Sequence, residues 1–172
     1  MRIWDMTSVS PHLPGKLGDP DMVLATDPRA DPRMLAAMAP VALDQAPPDA
    51  GVSAGSSIED LVEYAMVAEE GFAMLGDIFT GQAPAITNVD RETVVIEGQD
   101  GNDVTLYLHR PTDVEGPVPC ILHTHGGGMA ILTAADTGYV RWRDELAATG
   151  LVVVGVEFRN AAGKLGPHPF PA

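Results

Sequence analysis

Apolar positions recur at helical spacing between residues 58 and 79. Ile58, Leu61, Val62, Ala65, Phe72, Leu75 and Phe79 share one side of a 3.6-residue period. A long helix to about Phe79 is predicted, opened by Ser56-Ser57-Ile58-Glu59 as a capping box of S-x-x-E form. Glu59, Asp60, Glu63, Glu69 and Glu70 are placed mostly off the apolar side, which reads as the contact of a helical arm with a core. Gly71 and Gly76 weaken the expectation of one unbroken helix. Downstream the period becomes two. Thr93–Glu97 and Val104–His109 alternate apolar and polar around Gln99-Asp100-Gly101-Asn102, which predicts a β-hairpin. Cys120–Thr124 reads as a buried strand. A helix follows over Tyr139–Thr149, with Val140, Trp142 and Leu146 to bury and Gly150 as its stop. Leu151–Val156 is β-branched without alternation, as in a parallel strand buried on both faces. Strand, helix and strand make one βαβ unit.

Ahead of the long helix the pattern is broken by prolines at 11, 14, 20, 28, 32, 40, 47 and 48. One short helix is predicted there, with Asp31 as N-cap, Pro32 in its first turn, and Met34, Leu35 and Met38 along it. Residues 47–57 read as a linker. The pattern divides the chain into a helical N-terminal arm over 1–88 and an α/β part over 89–172.

The composition is that of a globular protein: 172 residues, 45% hydrophobic, with net charge −14. That charge argues against nucleic acid and anionic membrane surfaces as partners. No run nears the roughly 18 apolar residues of a membrane span. Met1–Gly15 has no long apolar segment of the secretory kind, so a cytoplasmic location is expected. Cys120, the single cysteine, sits in an apolar run and is expected to be a buried, inert thiol.

The chemistry concentrates at His125-Gly126-Gly127-Gly128, directly after the strand 120–124. An H-G-G-G loop in this place has the form of an oxyanion hole. Backbone N–H groups must converge where negative charge develops, and side chains would block the approach. Each such donor is worth roughly 2.7–4 kcal/mol in a transition state. His125 is expected to support the loop by hydrogen-bonding backbone. A phosphate loop is disfavoured, because neither G-x-x-x-x-G-K-[ST] nor G-x-G-x-x-G is present. Gly51-Val52-Ser53-Ala54-Gly55 matches a nucleophile elbow formally. It follows Ala46-Pro47-Pro48-Asp49-Ala50, which cannot be a central strand, and it precedes the glycine loop, so Ser53 is read as a coincidence. No serine occurs after Ser57. His109, His123, His125 and His168 lack a metal-ligand pattern, and no metal site is expected. Glu157 and Asp136 are candidates for polar work near the loop, and Arg159 is placed to brace the loop after it.

The H-G-G-G loop, with Glu157-Phe158-Arg159-Asn160-Ala161 and Pro167-His168-Pro169-Phe170-Pro171-Ala172 about thirty residues later, resembles the hormone-sensitive-lipase family of α/β-hydrolases. The family's second block reads D-Y-R-L-A-P-E-H-P-F-P-A, and here it carries a short insertion. The resemblance implies an α/β-hydrolase fold of which this chain holds the N-terminal part: helical cap arm, hairpin and first βαβ unit. It implies a serine carboxylesterase acting without cofactor on a small ester. Gly127 and Gly128 would give oxyanion N–H groups, and Gly126 and His125 would shape the loop. Met129, Met34, Leu35 and Met38 would line the substrate pocket. The family's nucleophile, acid and base match nothing in residues 1–172. A second polypeptide, the C-terminal half carrying the nucleophile, is therefore expected to complete the sheet beside Leu151–Val156. A homo-oligomer is left open. The alternatives are a non-catalytic small-molecule-binding protein on the same fold and an inert truncated fragment.

Overall fold

The computed structural model describes residues 18–169, which fall into two compact units divided after Gly51. The reading of Met1–Gly15 and the end of the second family block, residues 170–172, lie outside the described residues.

In the first unit a 3₁₀ turn, Leu24–Thr26, precedes helix α1, Pro32–Met38. The Asp31 carboxylate accepts from the Arg33 N–H and Pro32 occupies the first turn, as the sequence predicts. A second 3₁₀ turn, Ala39–Val41, ends it, and the Ala25 N–H donates to the Asp44 carbonyl at 2.9 Å.

The second unit begins with helix α2, Ile58–Thr80, which runs unbroken through Gly71 and Gly76. Its N-cap is Ser57, whose hydroxyl accepts from the Asp60 N–H, one residue later than the expected box. Gly76 has a packing reason. A Cβ there would lie 3.3 Å from the Thr137 hydroxyl and 3.5 Å from the Gly138 nitrogen, so α2 crosses the next helix at glycine distance. The burial of α2 departs from expectation. Ile58, Phe72 and Phe79 are exposed, while Glu69, at 3% exposure, is the buried residue of the helix. Ile58, Val62, Ala65, Glu69, Phe72 and Gly76 follow steps of four and three, so Glu69 stands in phase with the apolar stripe rather than off it.

Strands β1, Val89–Glu97, and β2, Asp103–Pro111, form the hairpin, with Val94 opposite Leu106. β3, Cys120–Thr124, leads through the glycine loop to helix α3, Thr137–Ala147, and back to β4, Val152–Val156, parallel to β3. The sheet order is β1-β2-β4-β3, which makes the sheet mixed. Here an expectation is corrected. β4 has neighbours on both sides, β2 antiparallel and β3 parallel, and the open edge belongs to β3. Cys120 and Leu122 on that strand are exposed, so the cysteine is not buried. Leu122 is 68% exposed, which marks one face of β3 as uncovered by the described residues. On α3 the inward side carries Arg143, Asp144 and Ala147, whereas Trp142, expected to be buried, is 45% exposed.

Candidate active site

The glycine loop leaves β3 and returns to α3 through two tight turns. The Gly127 carbonyl accepts from the N–H groups of Ala130 and Ile131, closing the first turn. Gly127 has φ +107°, and a Cβ on it would sit 2.1 Å from the Ile131 carbonyl oxygen. No other residue fits there. Gly128 has φ +64° but faces open space. Gly126 is constrained by space, since a Cβ would meet the Tyr139 hydroxyl at 2.7 Å. Met129 and Leu132 adopt φ +56° and +73°, left-handed values that residues with side chains rarely hold without support.

The support comes from buried polar groups around the loop. Glu69 Oε1 accepts from the Leu132 N–H at 2.7 Å, and Asn160 Nδ2 donates to the Leu132 carbonyl at 2.7 Å. Glu157 Oε1 accepts from the Ala134 N–H at 2.9 Å, and Asp136 Oδ2 from the Thr133 N–H at 3.0 Å. The Ala161 and Ala162 N–H groups donate to the carbonyls of Met129 and Ala130. Every N–H from Ala130 to Asp136 thus has a protein acceptor. Among the described residues the N–H groups of Gly127, Gly128 and Met129 have none.

His125 is buried and stacks on Phe158 with ring centroids 4.1 Å apart. Its Nδ1 lies 2.8 Å from the Gly126 carbonyl, which makes Nδ1 the donor, and its Nε2 faces Glu157 Oε1 at 3.5 Å. Met129 is 43% exposed on the loop. Met34, Leu35 and Met38 lie on α1 in the first unit, Met34 exposed and the others half-buried. Ser53 sits in a turn, its hydroxyl accepting from the Gly55 N–H, with no strand before it. Arg159 does not brace the loop that follows it but pairs with Asp100 of the hairpin turn at 2.8 Å. No cluster of three or more metal-ligating side chains occurs among the described residues.

Beneath the loop runs a buried charged network that the sequence reading missed. Arg91 donates both to Asp144 Oδ2 and, at 3.0 Å, to Oδ1. Asp144 Oδ1 lies 2.7 Å from His109 Nδ1, and Arg143 Nε donates to His109 Nε2 at 2.9 Å. His109 is thereby held neutral, with its proton on Nδ1. Burial pushes the imidazole below its ordinary value, against the pull of the Asp144 hydrogen bond. Burial would raise the Asp144 carboxyl, but hydrogen bonds from Arg91 and His109 hold it below the usual carboxylate range. The Arg143 guanidinium also donates to the Ala134 carbonyl at 2.6 Å and so ties α3 to the end of the glycine loop. Gly155 on β4 admits it, because a Cβ there would lie 2.8 Å from the guanidinium. The signal was available: Val140, Arg143, Asp144 and Ala147 occupy one helical side, and burial followed the spacing rather than the side chain's polarity.

No family model matches the chain, and no curated protein does. Solved structures do. Brefeldin A esterase, a bacterial homologue of human hormone-sensitive lipase, aligns over 92% of this chain with 42% identity and a TM-score of 0.81. The esterase Est22 aligns over 87% with 29% identity and a TM-score of 0.67. An esterase from Pyrobaculum calidifontis aligns over 63% with 29% identity and a TM-score of 0.50. The chain spans 44%, 44% and 33% of these proteins' lengths. No helix among the described residues is long and apolar enough to cross a membrane. Over almost its whole length this chain is similar to brefeldin A esterase and, at lower identity, to other α/β-hydrolase esterases, and it spans less than half of their length.

Proposed function

We propose that this chain supplies the oxyanion hole and helical arm of a serine carboxylesterase whose nucleophile, acid and base lie outside residues 1–172. The observation that carries this reading is the asymmetry of the loop's donors. The N–H groups from Ala130 to Asp136 are all engaged by protein, while those of Gly127 and Gly128 are not. Donors kept free of protein acceptors by a clamped backbone are what a developing oxyanion requires. Gly127 and Gly128 give two donors, and the residue after the nucleophilic serine gives a third. Gly126 and His125 hold the loop's shape.

In the reaction, the serine attacks the ester carbonyl, the histidine carries its proton to the leaving alcohol, and the carbonyl oxygen's charge is met by the glycine amides. The C-terminal half carrying the triad also covers the open edge of β3 in this reading, and the exposed Leu122 supports it. The test is a serine-reactive fluorophosphonate label, located by peptide mass spectrometry after denaturing separation of the purified protein. Label on a serine outside these 172 residues is expected. Label on Ser53, Ser56 or Ser57, or none in a sample holding the whole fold, overturns the reading.

A further inference from the structure

Glu69 is the most unusual charged group of the second unit. It sits mid-helix on α2, is 3% exposed, and makes no ion pair among the described residues. A carboxylate in such a place must be matched by N–H donors. Its two oxygens take different ones: Oε1 accepts from Leu132 at 2.7 Å, and Oε2 from Lys164 at 2.9 Å. Leu132 ends the glycine loop, and Lys164 belongs to the loop after β4. Gly163 makes the approach feasible, because a Cβ there would lie 2.7 Å from Glu69 Oε1.

Leu132 is also the residue whose backbone most needs holding. It is 8% exposed and left-handed at φ +73°, with its carbonyl taken by the buried Asn160 amide. Glu69 and Asn160 therefore grip both polar groups of one unfavourable residue. Gly127 lies within the same short hydrogen-bonded segment, its carbonyl bonded to the Ile131 N–H one residue before Leu132.

We propose that Glu69 is the positioning residue of the glycine loop: its single buried carboxylate, delivered by α2, fixes the Leu132 and Lys164 amides together and so sets where the Gly127 and Gly128 N–H groups point. Its consequence for catalysis rests on the oxyanion reading above. The chemistry distinguishes substitutions. Glu69→Gln keeps one acceptor oxygen and turns an NH2 group toward the other amide, so one bond is lost. Glu69→Ala loses both.

The test is amide hydrogen exchange at Leu132 and Lys164 in the intact protein, with the Val153 amide as reference, alongside hydrolysis of p-nitrophenyl acetate. Glu69→Ala is expected to speed exchange at both amides and leave Val153 unchanged. Where the protein hydrolyses the ester, kcat is expected to fall about 100-fold with KM within about threefold, as for a misplaced catalytic group. Glu69→Gln is expected between wild type and Glu69→Ala, and it carries the test should the alanine variant not fold. Unchanged exchange at Leu132 overturns the proposal, as does faster exchange with kcat retained. Faster exchange in a protein whose wild type hydrolyses no ester upholds the clamp and removes the esterase reading instead.

Discussion

Gly126, Gly127 and Gly128 are three glycines for three reasons, and their substitutions separate those reasons. Gly127 has both a left-handed backbone and a carbonyl oxygen 2.1 Å from where a Cβ would go, whereas Gly128 has the backbone alone and open space around it. Gly128→Ala is therefore expected to cost about 1–2 kcal/mol of stability, the strain of one left-handed residue. Gly127→Ala must also displace the Ile131 carbonyl and should cost more. Thermal unfolding of the two variants checks the order, and equal costs would contradict the loop geometry. At Gly155 the constraint is a neighbour's charge. Alanine there would push against a fully buried guanidinium, so Gly155→Ala is expected to lose about 1–3 kcal/mol in a denaturant titration, like other overpacked cores.

The charged inner side of α3 makes stability depend on pH. The His109 imidazole is depressed from 6.5, so the unfolded chain takes up a proton near that pH that the folded chain refuses. Stability is greatest above 6.5 and falls as pH drops toward the folded value. Asp144 acts lower down: its carboxyl is held below 3.8, so its contribution is complete above 3.8 and is lost as pH falls through the depressed value. The thermal midpoint is expected to fall between about pH 7 and pH 5, and His109→Gln to shrink that fall while lowering the midpoint at pH 7. A midpoint flat over this range would contradict the buried neutral histidine. At the start of α2, Ser57→Ala removes the cap on the Asp60 N–H and is expected to cost about 1 kcal/mol, while Ser56→Ala should cost less.

The elements themselves were legible, because capping, glycine stops and the change of period are local signals. α1 with its Asp31 cap, the hairpin and the parallel β3–α3–β4 unit stand where the spacing puts them. What hydropathy hid, although the spacing carried it, was which polar side chains go inward. Glu69, Arg143 and Asp144 are in phase with apolar stripes, but hydropathy alone weights a charge toward solvent. Their burial depends on partners far along the chain, Leu132, Lys164, His109 and Arg91, which no local pattern contains.

At the scale of the molecule the strand order matters most. The hairpin strand β2 inserts beside β4, and that insertion moves the open edge to β3, the strand that feeds the glycine loop. An edge strand with an exposed leucine is a poor end for a sheet. The same strand therefore carries the loop on its end and, in the proposed reading, receives the triad-bearing half along its side. In that reading the oxyanion donors stand next to the junction, and neither part alone holds a working site. The decisive measurement is the rate of p-nitrophenyl acetate hydrolysis by residues 1–172 alone, by the C-terminal half alone, and by the two mixed. Turnover in the mixture only, abolished by Gly127→Ala in a variant that still assembles, is the expected result. Turnover by either part alone, or a mixture that assembles and hydrolyses at full rate with Gly127→Ala, would contradict it.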